Sequence, residues 1–314
     1  MFVQLLIFIA SLALLLTSAR LFTNSAEKIG AWMKLPGFVI GIFIVGIGTS
    51  LPELISGILS VRKGVSEILP GNIIGANISN LLLITGIAAL VHRRNIQLGS
   101  TYIQIDLHFL LGSFFYLYMI AYDGVIVYYE AFIGLIIYIL YSIYLIRGEK
   151  EDVSALSLPS PDGPLPTPWK HVGLLALTAG GIYFGAELTI SSIEKIAVSL
   201  QIPHAIIALT LLSLGTTLPE LAVNISAIRQ GKAEMAIGNI LGSSVFNSLV
   251  IPSVASFFGS ITVPPELLGF SLPVMAASGF LFYLLAQDKR ISIWEGTVFT
   301  LLYALFILQT ILAQ

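Results

Sequence analysis

The sequence predicts an all-α polytopic membrane protein with ten transmembrane helices arranged as two inverted five-helix repeats. Three observations predict it. Of the 314 residues 56% are hydrophobic and only 10% charged, with a mean hydropathy of +0.94, which leaves too little polar surface to coat a soluble globule of this size. A proline and a carboxylate sit inside an apolar run twice, as Gly48-Thr49-Ser50-Leu51-Pro52-Glu53-Leu54 and as Gly215-Thr216-Thr217-Leu218-Pro219-Glu220-Leu221, 167 residues apart. The same offset pairs Pro36 with Pro203, Arg62 with Arg229, Gly71 with Gly238, Asn72 with Asn239, Gly75 with Gly242 and Asn80 with Asn247. A register held without a gap from Pro36 to Asn247 marks an internal duplication, and duplicated broken helices are a transporter signature.

Apolar runs of about 20 residues, the length that crosses a bilayer, define the elements in order. The first, 2–23, has no basic segment before it, so although Thr17-Ser18-Ala19 resembles a cleavage site it reads as a helix and not a leader. Its Ala19, Leu21, Glu27 and Lys28 recur as Ala186, Leu188, Glu194 and Lys195 in the second half. The second run, 38–61, contains Pro52; the third, 68–90, contains the Gly71 to Asn80 motif; 101–121 and 125–146 complete the repeat. Residues 148–170 carry Glu149-Lys150-Glu151-Asp152 and then Pro159, Pro161, Pro164, Pro166 and Pro168, too polar and too proline-rich to fold, and so form a linker. The second half repeats the pattern at 171–191, 204–228, 234–257, 266–286 and 292–312. The predicted organisation is a first repeat over 1–147, a Pro-rich cytoplasmic linker over 148–170 and a second repeat over 171–314.

Five spans per half is an odd number, so the second repeat enters the membrane from the opposite side. With the N-terminus outside, twelve basic residues fall in inner segments (Arg20, Lys28, Lys34, Arg93, Arg94, Arg147, Lys150, Lys170, Arg229, Lys232, Lys289 and Arg290) and three in outer ones (Arg62, Lys63 and Lys195). The positive-inside rule then predicts a multi-pass cell-membrane protein with both termini extracellular. A net charge of −2 gives no sign of a nucleic-acid partner, and the absence of Cys excludes disulfides and thiolate chemistry.

The chemistry is expected in the second and third helices of each half. Pro52 and Pro219 lack an N–H and free carbonyls near Gly48-Thr49 and Gly215-Thr216, and in a bilayer these need water, a side chain or a cation. Glu53 and Glu220 follow one residue later, and no basic residue lies in the predicted spans that hold them. A charge at that depth costs several kcal/mol unless matched, so a bound cation or a proton is the expected partner. A single such motif reads equally as a kink with a hydrogen-bonded acid; two at corresponding positions favour a shared site. Gly71/Gly75 and Gly238/Gly242 let another backbone approach, while Asn72/Asn80 and Asn239/Asn247 lie near one helical stripe and offer amide oxygens. Carboxylates, hydroxyls, amides and carbonyls form an all-oxygen set suited to hard cations.

On these paired motifs the sequence resembles the sodium/calcium exchanger family of the Ca2+/cation antiporter superfamily, as a short prokaryotic-type member without a large regulatory loop. The resemblance implies Ca2+ between Glu53 and Glu220, completed by the carbonyls of Thr49 and Thr216, and Na+ positions involving those glutamates, Ser50, Thr217, Ser243, Asn80, Asn247 and carbonyls near Gly46 and Ser213. Two positions depart from the family pattern: Ala76 stands where many relatives have Ser, and Asn247 where some close relatives have Asp.

The expected function is secondary-active antiport of Ca2+ for Na+ by alternating access, with Ca2+ and Na+ as transported ions, no cofactor, the lipid bilayer as surroundings and a monomer sufficient. Ca2+/H+ antiport is the alternative, with a cation channel ranked below it. An enzyme is not expected: there is no HExxH helix and no Ser/His pairing in corresponding spans.

Overall fold

The computed structural model describes residues 2–32, 40–92, 96–97, 101–148, 168–201, 217, 220–221, 224–225, 228, 233–288 and 290–312. The helices among them are α1 (Phe2–Trp32), α2 (a π turn Ile40–Gly46, then Ile47–Thr49 and Leu51–Arg62), α3 (Ile68–Ile78, a π turn Ser79–Ile84 and Thr85–His92), α4 (Thr101–Ala121), α5 (Tyr128–Gly148), α6 (Pro168–Leu200), α7 (Ala233–Ala255), α8 (a π turn Leu267–Ser271 and Leu272–Ala286) and α9 (Ile293–Leu312). Most of the expected 204–228 span, including Ser213, Thr216 and Pro219, and the linker over 149–167 lie outside the described residues.

Seven helices among the described residues are long and apolar enough to cross a membrane. The chain is therefore an all-α, multi-pass membrane protein. Surface burial sorts the helices: the α3 and α7 spans are 83% and 89% inside the protein, whereas the other five are 22–39% inside. The outer helices turn Phe115, Ile139, Leu140 and Leu301 outward, the pattern of a lipid-facing surface. Aromatic side chains stand exposed near helix ends, with Tyr122, Tyr128 and Tyr129 at one set of ends and Trp169 and Trp294 at others, where ring and polar tip suit the membrane–water boundary.

Two expected boundaries are corrected. The first helix runs to Trp32 rather than stopping near 23, and the sixth occupies Pro168–Leu200 rather than 171–191. Hydropathy falls at Ser25, Glu27 and Lys28, yet Ala, Glu and Lys are good helix formers, so the helix outlasts the apolar run. At 1.5 Å per residue such helices reach about 46–50 Å, beyond an apolar bilayer core of about 30 Å, and so project past it or tilt. They pack on each other along their length. Gly185 takes the backbone of Leu15 at a position where a Cβ would lie 2.8 Å from its nitrogen, and Thr189 donates to the Ser11 hydroxyl at 3.1 Å. Apolar clusters such as Leu15, Leu59, Ile182 and Ala186 tie this pair to α2 and are separate from the main core.

Two-residue strands tie loops together without changing the all-α class. β1 (Ile96–Gln97) pairs antiparallel with β4 (Arg290–Ile291), and β2 (Val125–Ile126) with β3 (Ile261–Thr262). Residues 125–126, assigned to the fifth span from hydropathy, are thus strand, and α5 begins at Tyr128. Each ribbon joins a loop of the first half to a loop of the second.

Candidate functional site

Helix breaks build the site. In α2 the helix leaves its course at Ser50 (φ −87°, ψ 2°) and restarts at Leu51 with Pro52 in the first turn. Pro52 has no N–H to give the Gly48 carbonyl four residues earlier. Glu53 occupies the same first turn, where the exposed N–H groups of the new helix favour negative charge. Immediately before the break, Ile40–Gly46 is wound as a π turn, and Asn80 lies in a second π turn in α3. These wider turns shift the hydrogen-bond ladder by one residue and bring carbonyls out of the usual register.

α7 crosses the first of these π turns at Gly242, where an added Cβ would lie 3.0 Å from the Cα, carbonyl oxygen and Cγ2 of Ile42. That close approach puts Ser243 against α2. Its hydroxyl lies 3.4 Å from the Gly46 carbonyl and 3.4 Å from Thr49 Oγ1, which is itself 3.3 Å from the Gly46 carbonyl. The Thr49 side chain also hydrogen-bonds the Glu220 carboxyl, and Glu220 in turn feels the charge of Glu53. Both glutamates are 1% exposed. Two hydroxyl protons therefore face a carbonyl, two hydroxyl oxygens and a carboxyl group. The Gly46 carbonyl also takes the Ser50 N–H at 3.1 Å, so among the described residues this corner of the site is lined by oxygens, the atom type that hard cations take as ligands.

Further buried oxygens have no hydrogen-bond partner among the described residues: Ser50 Oγ, Asn80 Oδ1, Asn247 Oδ1 and Glu220 Oε2. A buried polar atom left without a partner costs about 1–3 kcal/mol, and these four lie on residues of the paired motifs. Of the residues singled out from sequence, Gly46, Thr49, Ser50, Glu53, Ala76, Asn80, Thr217, Glu220, Ser243 and Asn247 are all buried. Ser213 and Thr216 lie outside the described residues.

A profile of the family described as sodium/calcium exchanger protein matches residues 3–147 and 170–312. The chain belongs to this family. It is 30% identical to an uncharacterized membrane protein of Methanocaldococcus jannaschii over 96% of this chain and 95% of that one. It is 29% identical to the sodium/calcium exchanger MaX1 of Methanosarcina acetivorans over 97% of each chain. Among solved structures it is similar to the sodium-calcium exchanger NCX_Mj soaked with Na+ and Sr2+, with a TM-score of 0.71, 27% identity and 98% of both chains covered. Membership in an exchanger family agrees with the absence of enzyme motifs in the paired spans.

Sequence reasoning passed over several members of this exchanger's polar interior. Asn77 donates to Ser248 Oγ at 2.9 Å and accepts from Asn247 Nδ2 at 3.4 Å. Asn224, one helical turn beyond Glu220, accepts from Asn239 Nδ2 at 3.2 Å. In the repeat register Asn77 corresponds to Ser244 and Asn224 to Gly57, so neither has an amide counterpart. Only a buried amide in an apolar helix signals them.

Proposed function

We propose that this exchanger-family chain is a secondary-active antiporter that exchanges Ca2+ for Na+ by alternating access, with the cations bound between Glu53 and Glu220. The observation that carries the reading is the meeting of two buried carboxyl groups, one from each half, beside buried hydroxyl, amide and carbonyl oxygens of the paired motifs. Thr49, Thr216, Ser50, Thr217, Ser243, Asn80, Asn247 and carbonyls near Gly46 and Ser213 supply the remaining oxygens. A Ca2+ ion neutralises both glutamates, and Na+ ions do the same in the other half of the cycle. An ion-free pair of carboxylates is costly to carry through the membrane, so loaded states cross and the empty one does not. That penalty couples the two fluxes. The names of relatives, a sodium/calcium exchanger of Methanosarcina acetivorans and NCX_Mj soaked with Na+ and Ca2+ or Sr2+, agree with this pair of ions.

The expected architecture is ten spans as two inverted repeats joined by a cytoplasmic linker, now bounded by the helix ends at Gly148 and Pro168, with both termini outside. Two features support the inversion. The loop carrying β1 follows the third span of the first half, and its partner β4 lies between the last two spans of the second; the β2–β3 ribbon has the converse arrangement. A repeat inverted across the membrane brings those loops to common faces, one ribbon on each. In addition, Gly86 of α3 packs on Gly296 of α9, and Ser253 of α7 donates to the Ala131 carbonyl of α5, contacts that the repeat interchanges. The α1–α6 pair, with apolar clusters of its own, is the element expected to slide against the rest.

Orientation has a direct test, because the native chain contains no Cys. Cysteines placed at Lys63 and Arg229, the same position in the two repeats, are expected to react with an impermeant maleimide from outside and inside respectively. Labelling of both from one side overturns the inverted arrangement. The function itself is tested in proteoliposomes by radiolabelled Ca2+ uptake with Na+ and pH gradients imposed separately. An outward Na+ gradient alone is expected to drive uptake. Uptake driven only by pH assigns H+ as the coupling ion, and uptake requiring neither gradient identifies a channel.

A further inference from the structure

In α7, Asn247 is fully buried, and its carboxamide has two ends of opposite character, an oxygen that can bind a cation and an NH2 that repels one. The end that faces the site is decided elsewhere. The Ser248 hydroxyl donates to the Ser244 carbonyl at 2.9 Å, so its oxygen is left to accept. Asn77 Nδ2 supplies the donor at 2.9 Å. The same NH2 group lies 3.5 Å from Met275 Sδ, a thioether that accepts and never donates. Two acceptors on one side fix the Asn77 amide with its nitrogen toward Ser248 and Met275. Its oxygen must then point the other way, and there it accepts from Asn247 Nδ2 at 3.4 Å. Asn247 turns its NH2 group toward Asn77, and its Oδ1 is left buried with no partner among the described residues.

We infer that Asn77, held by Ser248 and Met275, is a positioning residue that orients the Asn247 carboxamide so that position 247 offers a neutral oxygen to the transported cation. The chain of bonds runs in one direction only. Reversing Asn247 would set NH2 toward the site and oppose its oxygen to that of Asn77; reversing Asn77 as well would direct its oxygen at the thioether of Met275 and require the Ser248 proton to leave the Ser244 carbonyl. An amide needs this lock because its ends differ, whereas a carboxylate has oxygen at both ends. Asn77 has no amide counterpart in the other repeat, where the corresponding residue is Ser244, so the device serves one half only.

The inference rests on the proposed cation role of Asn247, and a double-mutant cycle separates the two. Na+ activation of Ca2+ uptake is measured for wild type, Asn77→Ala, Asn247→Asp, the double variant and Asn247→Ala. Asn77→Ala is expected to raise the Na+ concentration for half-maximal exchange about fivefold, the factor carried by one oriented polar contact. In the Asn247→Asp background the same substitution is expected to leave the half-maximal concentration unchanged or to lower it, because a carboxylate needs no orientation. An equal rise in both backgrounds marks a structural role for Asn77 and overturns the inference, as does no rise in the wild-type background. An unchanged Na+ curve in Asn247→Ala removes position 247 from the site and overturns the inference along with that part of the functional reading. If Asn77→Ala does not fold, Ser248→Ala with Met275→Leu keeps Asn77 while removing both of its acceptors, and the same loss of effect in the Asn247→Asp background is expected.

Discussion

Glu53→Gln and Glu220→Gln are each expected to abolish Ca2+ uptake while leaving a folded protein. Gln keeps the shape and the hydrogen-bonding reach of Glu and removes only the charge. Both glutamates are 1% exposed, and Glu220 feels the charge of Glu53, so a divalent ion at this point depends on both. Removing one partner of a buried charge interaction costs about 3–5 kcal/mol. With about 1.4 kcal/mol per factor of ten, uptake falls at least about 100-fold. Stability without ions should not fall, because a buried acid in need of a counter-charge has been replaced by a neutral amide. The second readout is thermal: Ca2+ at about 100 times its dissociation constant stabilises a binding protein by about 2.7 kcal/mol, and this Ca2+-dependent rise in Tm should disappear in both variants. Wild-type Ca2+ flux in either variant contradicts a site shared by the two carboxylates.

What could be read from the sequence, and what could not, follows from the kind of signal each feature leaves. Glu53 and Glu220 were legible because a proline and an acid in an apolar run are costly, and the cost recurs at a fixed offset. Thr49 and Ser243 were legible as motif residues, but their meeting with the Gly46 carbonyl depends on the crossing of α2 and α7. Helix ends were less legible, since hydropathy reports the membrane and not the helix: Ser25 to Lys28 leave the apolar run without leaving α1. The ribbons left no local signal at all, because each strand is two residues long and its partner lies more than a hundred residues away. Asn77 escaped for a more instructive reason. Repeat arithmetic sees only what both halves share, and a device present in one half is invisible to it. The asymmetric positions, Ala76 opposite Ser243 and Asn77 opposite Ser244, are among those where one half of this chain departs from the other.

Gly242→Leu is expected to reduce transport more than tenfold through a displacement of α2, with no ligand removed. A Cβ at 242 would lie 3.0 Å from three atoms of Ile42, two of them backbone, so the contact cannot be relieved by turning a side chain. Forcing extra carbons into such a contact costs about 1–3 kcal/mol. The element that must yield is the π turn Ile40–Gly46, whose last carbonyl takes the Ser243 and Thr49 hydroxyls. Movement of this turn away from α7 therefore opens the Thr49–Ser243 contact directly, and the half-maximal concentrations for both Na+ and Ca2+ should rise together. Gly242→Ala should show the same direction with a smaller size, because the neighbours need to give by only a few tenths of an ångström. The control is Gly112→Ala in α4, where nothing lies within 4 Å of the added carbon and a helical Ala should stabilise by about 0.5–1 kcal/mol relative to Gly. Measured together, ion activation curves and Tm separate two roles for Gly242. A lowered Tm with unchanged ion affinities assigns it to packing alone; raised half-maximal concentrations for both ions, beside an unaffected Gly112→Ala, show that the close approach of α7 to the π turn is what holds the oxygens of the site in place.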